Sequence, residues 1–311
     1  MRHDAAERLR SRHSVTRLCR ALGVSRSGHY ARRRRQQPLR VQEDRRLKQA
    51  IVSAHAASGG RYGTPRIERH LRREGTLTSR KRVARLRHDL GLKAKGRRRF
   101  RITTDSEHTY PIADNHLKRR FQSSRPDEIW VGDITYLAQG DRWLYLALLM
   151  DVYSRRIVGW SLSDRIDDSL TLAALSRALE ARRPANGLIH HTDRGAQYCS
   201  NAYRKALETA GVVASMSRRG DCWDNAMAES LIKTVKVEAG RRFLSRSLAE
   251  RELFEYIEGF YNTHRLHSGL GYRTPAEIER LQQVSPIAEH HSEAMAPPAF
   301  AGPAIAATTL T

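Results

Sequence analysis

Cysteine is nearly absent from this 311-residue chain. Cys19, Cys199 and Cys222 stand far apart with no CxxC pair. That pattern excludes a disulfide framework and a cysteine zinc site, and it fits a reducing cytosol. Long apolar runs are missing too. The longest, Trp143 to Met150, is eight residues between Arg142 and Asp151, against the roughly 20 needed to span a bilayer as a helix. The first residues, MRHDAAERLR, carry no apolar stretch of the secretory kind. There is no internal repeat. Acidic residues are scarce in one part only: residues 1–126 hold 35 Lys+Arg and 10 Asp+Glu, a net of +25, whereas residues 127–311 hold 21 and 23, a net of −2. A polycationic segment of this kind calls for a polyanion, most commonly the phosphate backbone of nucleic acid. A membrane surface fits less well, because the basic part offers no long apolar face.

The basic part reads as helical. In SVTRLCRALGVSRSGHYARRRR (14–35), Val15, Leu18, Cys19 and Leu22 keep helical spacing, Gly23 breaks it and Ser25 can cap a second short helix. This is the helix-turn-helix outline, with Arg26 and Arg32 to Arg35 on or after the second helix as DNA contacts. A plain surface hairpin with a solvated basic end is the alternative. A second helical set follows. One helix spans about 45–57. Another starts at Thr64-Pro65 and ends before Gly75. A third is capped by Ser79, striped by Val83, Leu86 and Leu90, and closed by Gly91. Lys93 to Arg101, including Arg97, Arg98 and Arg99, and the stretch to Arg125 lack periodicity and read as a basic linker able to lie along phosphates.

From about residue 127 the pattern changes. EIWVGDITYL alternates like a strand, with Ile129, Val131, Asp133 and Thr135 on one face. RWLYLALLMD and IVGWSL give two further strands around the turn YSRR, with Asp151 as a turn residue. A helix over 167–181, the strand LIHHTD, a helix over 201–210, the strand VVASMS and a helix over 226–237 complete a mixed five-stranded α/β sheet with flanking helices. The tail from about 281, rich in Ala, Pro and His, reads as disordered.

Three acids sit where acids are costly: Asp133 in a strand, Asp193 at a strand end and Glu229 one turn into a helix, with 35 residues between the last two. A divalent cation would offset the cost, and an all-oxygen donor set points to Mg²⁺ or Mn²⁺. The alternative for any single one is a salt-bridged or edge carboxylate. Asp224 and Asn225 most simply cap the helix of Glu229. His191, on the strand face of Asp193, is a possible substrate contact or a satisfied core histidine. Tyr198 and Trp223 offer base stacking, with packing the better reading. On the last helix Glu229, Lys233 and Lys236 share one face; the lysines either pair with Glu229 or hold a DNA end.

Residues 130–136 (WVGDITY), 190–198 (HHTDRGAQY), 215–230 (SMSRRGDCWDNAMAES) and 261–275 (YNTHRLHSGLGYRTP) resemble the signature blocks of insertion-sequence transposases of the IS-three family, OrfB product. The resemblance covers essentially residues 1–280. It implies an RNase H-like, retroviral-integrase-type catalytic core preceded by small all-α helix-turn-helix DNA-binding units, with Asp133, Asp193 and Glu229 as catalytic and metal-binding triad. The spacing Glu229-x-x-x-Lys233-x-x-Lys236 is similar to that of the integrase helix. With one cysteine before residue 199, the HHCC zinc finger of retroviral integrases is absent. The expected organisation is 1–40 helix-turn-helix region, 41–100 second helical DNA-binding region, 101–126 basic linker, 127–280 catalytic core with a helical extension, and 281–311 disordered tail. The resemblance further implies two Mg²⁺ ions, replaceable by Mn²⁺. It implies terminal-repeat and target DNA as substrates, a homo-oligomer on DNA, an upstream OrfA-type product as partner or fusion, and a prokaryotic cytosolic or nucleoid location without membrane. Asn262, His264, Arg265 and His267 belong to the last block, as DNA contacts or as braces of the core. A nuclease that cuts without joining, and a DNA-binding regulator without catalysis, are the rival readings.

Overall fold

A computed structural model describes residues 2–34, 38–96, 110–218 and 221–284. The amino-terminal region forms α1 (Arg2–Leu9), α2 (Val15–Ala21) and α3 (Arg26–Arg34). Ser14 caps α2 by accepting from Arg17 N–H. Gly23 turns the chain at φ +63°, where a side chain is strained. Ser25 then accepts from Gly28 N–H at 3.0 Å, capping α3 as expected. The helix α1 is an addition to the sequence reading.

The second helical set is α4 (Leu39–Ala57), α5 (Thr64–Arg73) and α6 (Arg80–Asp89). It starts six residues before the expected position because Pro38, at the N-cap, fixes the helical entry although the first two turns stay exposed. Leu47, Ile51, Ile67, Leu71, Val83 and Leu86 bury the facing stripes of the three helices, and Leu266, from nearly 200 residues away, completes their core.

The remaining chain builds one mixed sheet. β1 (Ile129–Gln139), β2 (Arg142–Asp151) and β3 (Ile157–Ser163) are antiparallel; after α7 (Asp168–Arg182), β4 (Ile189–Thr192) lies parallel to β1. The helices α8 (Ala196–Cys199) and α9 (Asn201–Thr209) lead to β5 (Val213–Met216), parallel to β4. The order β3-β2-β1-β4-β5 contains the five expected strands. A sixth, β6 (Arg242–Phe243), follows α10 (Ala226–Glu238) and pairs with the far end of β1. At two residues it is too short to show a period. α11 (Arg246–Phe254) runs into a π-helical turn over Glu255–Tyr261, and α12 (Pro275–Val284) closes the described chain. That helix continues past residue 281, where the sequence reading begins its tail; 285–311 lie outside the described residues.

Strand alternation divides the core in two. Ile129, Val131 and Leu137 of β1, with Leu146 and Leu148 of β2, face α10 and α11. Trp130, Ala147 and Leu149 face α7 and α9. The approach of α7 is close: a Cβ at Gly159 would lie 2.3 Å from the Ala174 carbonyl oxygen, so β3 needs glycine there.

Candidate active site

By the same alternation, Asp133 points to the α10 side of the sheet, level with Asp193: Val131 pairs with His191 across the parallel β1–β4 ladder, and two residues further along each chain stand the two aspartates. Asp193 falls just past the end of β4, where Gly195 N–H donates to its Oδ1 at 3.0 Å and folds the carboxylate back over the turn. Gly132 beside Asp133 leaves room on the opposite face for His190; a Cβ there would come within 2.8 Å of the imidazole. Glu229 sits in the first turn of α10, on the face of the sheet toward which Asp133 projects.

The acids sense one another. Burial of its carboxyl group, then the charge of Asp193, and more weakly that of Glu229, hold Asp133 well above the usual carboxylate range; the Ile134 N–H at 2.8 Å and Lys236 oppose them. Lys236 is pushed down to about 8 by burial and by Arg241, with Asp133 opposing the shift. Glu229 accepts from Lys233 Nζ at 2.9 Å. The three carboxylates are thus grouped but not drawn into a ring: among the described residues no three His, Cys, Asp or Glu side chains surround one point closely enough to form a ready cation cage.

The loop before α10 is organised by Asp224, and not in the capping role expected of it. Its fully buried carboxylate accepts from Arg218 N–H (3.0 Å) and Nε (2.9 Å), from Arg119 Nε (3.2 Å) and from Asn115 Nδ2 (2.9 Å). These cations hold its pKa far below the ordinary value. Asn225 occupies the N-cap position of α10 without a side-chain cap bond. Asp221 instead caps the short 3-10 turn Cys222–Asn225 through Trp223 N–H at 3.1 Å. Residues 110–126, expected as linker, pack on the core through buried Leu117 and through Phe121, whose ring meets His191 edge-on.

His191 is fully buried, with Nδ1 2.8 Å from Ser215 Oγ and Nε2 2.9 Å from the Asp224 carbonyl. It joins β4, β5 and the Glu229 loop and has no surface to offer a substrate, which corrects the substrate-contact expectation in favour of a satisfied core histidine. Tyr198 is likewise buried, stacked edge-on against Tyr203 and His190; its ring packs and is closed to a base. Trp223 departs from the packing expectation: it is 67% exposed. Asp151 is the turn residue expected, accepting from Ser154 and from Asp127 N–H. Arg26 is exposed on α3, and Arg32 and Arg33 lie on the same helix. Arg97, Arg98 and Arg99 fall outside the described residues.

The last block braces. Asn262 bonds both Ile157 N–H and its carbonyl, at 2.9 and 3.0 Å. Arg265 clamps Glu238 with Nε–Oε2 and Nη2–Oε1 both at 2.8 Å, and Tyr256 OH donates to the same carboxylate at 3.0 Å. His267 lies beside them, pushed down to about 2 by burial and by Arg265, Arg66 and Arg155. His264 is exposed and bonds the Gly259 carbonyl. The second helical set locks onto this region. Tyr62 OH donates to the His264 carbonyl (2.8 Å) and accepts from Leu266 N–H (3.0 Å). Arg61 Nε and Lys95 Nζ both donate to the Glu238 carbonyl at the end of α10. The sequence reading missed Glu238. An acid in the last turn of a helix opposes the macrodipole, and that was its one local signal.

The fold, taken with the family models and relatives that match the chain, places it in the class of integrase-core polynucleotidyl transferases of the DDE type. Models of the integrase core domain match residues 123–222 and 210–275, and a model of an HTH-like domain matches 42–100. The chain is 45% identical over 271 residues (86% of this chain, all of the relative) to the insertion element IS600 uncharacterized 31 kDa protein of Shigella sonnei. It is 38% identical over 283 residues (90% and 98%) to transposase InsF for insertion sequence IS3A of Escherichia coli K12. The chain belongs to the IS-three (IS3) family of insertion-sequence transposases. Among solved structures, the simian T-cell lymphotropic virus intasome matches at TM-score 0.41 and 14% identity, over 83% of this chain and 80% of that one. The HTLV-2 integrase catalytic core matches at 0.38 and 16%, over 51% and 99%.

Proposed function

We propose that Asp133, Asp193 and Glu229 form the active centre with which this transposase cleaves DNA at the ends of its element and joins the freed 3′-OH to target DNA. The observation that carries the reading is the convergence of two level aspartates on adjacent parallel strands with the acid-bearing turn of α10. The donor set fits a divalent cation. All three side chains offer oxygen, the charge of Asp193 opposes ionisation of Asp133, and the Glu229–Lys233 pair that engages the third carboxylate has a half-exposed lysine and is worth only about 0.3–0.5 kcal/mol. Two Mg²⁺ or Mn²⁺ ions bound there supply activation of the attacking oxygen and charge neutralisation at the leaving one.

The rest of the work belongs to side chains and DNA. In the first step a water oxygen bonds to phosphorus and the bond to the 3′ oxygen breaks, giving a 3′-OH. In the second that hydroxyl attacks a target phosphodiester and displaces another 3′ oxygen. No covalent protein intermediate is needed. Lys233, once released from Glu229, and Lys236 hold the phosphate of the DNA end. Trp223, presented on a capped turn six residues before Glu229, offers an indole face on which a base can stack. Arg26, Arg32 and Arg33 on α3, and Arg97 to Arg99, add phosphate contacts along the flanking duplex. The protein works as a homo-oligomer on DNA, with an upstream OrfA-type product as partner or fusion, in the prokaryotic cytosol or nucleoid. Among the described residues no helix is long and apolar enough to cross a membrane.

The full chain, incubated with the element's end DNA and Mg²⁺, tests the assignment. Asp133→Asn, Asp193→Asn and Glu229→Gln should each abolish cleavage and joining while leaving DNA binding nearly intact. Near wild-type strand transfer by any one of them removes that residue from the centre. Hydrolysis without joined product by the unmodified protein would instead select the nuclease reading.

A further inference from the structure

Between α5 and the last block lies a cleft of about 660 Å³ that takes no part in the proposed chemistry. Five arginines line it, Arg69, Arg72 and Arg73 from α5 and Arg273 and Arg280 from the carboxy-terminal segment, against a single lining carboxylate, Glu277. The cleft is built, not a chance meeting of solvated side chains. The Arg69 guanidinium stacks over Tyr272, 5.1 Å from the ring centroid. Tyr272 occupies the left-handed region at φ +63°, a costly conformation for a non-glycine residue that surrounding contacts must hold. Its ring is half-buried against the core of the second helical set. Glu277 pairs with Arg73 through one oxygen. Its other oxygen accepts from Thr274 N–H at 2.8 Å, while Glu277 N–H donates to Thr274 Oγ1 at 3.2 Å. This reciprocal cap fixes the carboxylate, and with it Arg73.

The charge is not balanced from within. Arg72 is neutralised by Glu68 at 2.8 Å and Arg73 by Glu277. Among the described residues neither Arg273 nor Arg280 forms a close ion pair; Arg280 acts on Glu277 only at longer range, behind Arg73, and both arginines are exposed. Guanidinium groups converging in a concave site repel one another unless an anion joins them. Planar forks match phosphate oxygens bidentately. We propose that this cleft is a second DNA site, which grips the phosphate backbone of the duplex inward of the element's end. The proposal rests on the transposase reading and extends it. One wall belongs to the HTH-like domain. The other belongs to the segment that Arg265 ties to the end of α10. A duplex lying in the cleft would therefore touch both modules at once.

The test uses the full chain carrying Arg273→Ala and Arg280→Ala, with a 40-base-pair end duplex titrated at several salt concentrations. The slope of log Kd against log salt should fall by about 2, near 1 for each lost phosphate contact. Affinity at low salt should drop by on the order of tenfold or more. The melting temperature should move little, because Arg280 loses only an exposed bond to the Ala276 carbonyl and a longer-range attraction to Glu277, and Arg273 loses no ion pair. An unchanged slope and affinity would overturn the proposal. So would loss of self-association in size-exclusion chromatography with DNA binding intact, since the cleft would then receive an acidic surface of a second copy. If the unmodified protein bound no end DNA at all, the transposase reading itself would fail, and that result is distinct from either.

Discussion

Replacing Arg265 by methionine should cost this protein about 3 kcal/mol of stability. The Glu238 carboxylate is 7% exposed and receives the bidentate Arg265 fork at 2.8 Å, the Tyr256 hydroxyl at 3.0 Å and Arg66 at 3.9 Å. Methionine preserves much of the volume but leaves the carboxylate buried with one distant cation. Orphaning one member of a buried pair typically costs about 3–5 kcal/mol, and the lower end applies because Arg66 remains. Replacing both members, Glu238→Gln with Arg265→Met, removes the stranded charge. The double variant should recover most of the loss, giving a coupling of about 2 kcal/mol in the cycle. Urea unfolding followed by tryptophan fluorescence reads this directly, since Trp130 and Trp160 are buried in the sheet. A single variant within 1 kcal/mol of wild type, or a double variant no better than the single, would show that the ion pair does not hold the end of α10 to the carboxy-terminal segment.

Lys233→Ala combined with Lys236→Ala should leave stability within about 1 kcal/mol yet depress strand transfer far more than overall DNA binding. Melting temperature and joining rate on the same preparation decide it, and lost stability with normal activity per molecule would reinstate the helix-pair role. The protein should also weaken in acid. Burial holds His190 down at about 3 and, with neighbouring cations, His267 at about 2. Both are therefore neutral when folded, while the unfolded chain takes up their protons near pH 6.5. Their stabilisation is present above that pH and is lost as pH falls from about 6.5 toward 3, at up to about 1.4 kcal/mol per unit for each histidine. Urea midpoints at pH 7.5 and 5 should show the loss, with a shallower dependence in His190→Asn; a flat profile would contradict the assigned burial.

What the sequence made legible follows from the range of the interactions involved. The period-2 alternation through Val131 and Asp133 placed the aspartate on the correct face, and Ser25 and Ser79 marked helix starts, because strands and caps are written in neighbouring residues. The level pairing of Asp133 with Asp193 became visible only with the β1–β4 register. Asp224 misled because an acid beside a helix start normally caps it, whereas here Arg218, six residues before it, and Arg119, 105 residues away, claim the carboxylate. Glu238 and Tyr62 went unread for the same reason: Tyr62 bonds a carbonyl 202 residues distant. The contrast between a basic and a neutral half suggested separable modules. The structure instead packs Leu266 into the HTH-like domain, so a cut near residue 126 would open a shared core.

The docking of Tyr62 and Arg66 onto residues 264–266 also bears on inheritance. A recombination event that exchanged only the front of the gene between relatives would pair one lineage's helices with another's receptor for them. The heritable unit is therefore split. It comprises residues 39–95 together with 255–284, and because Asn262 and Arg265 also bond β3 and the end of α10, the sheet between them is matched to the same partner.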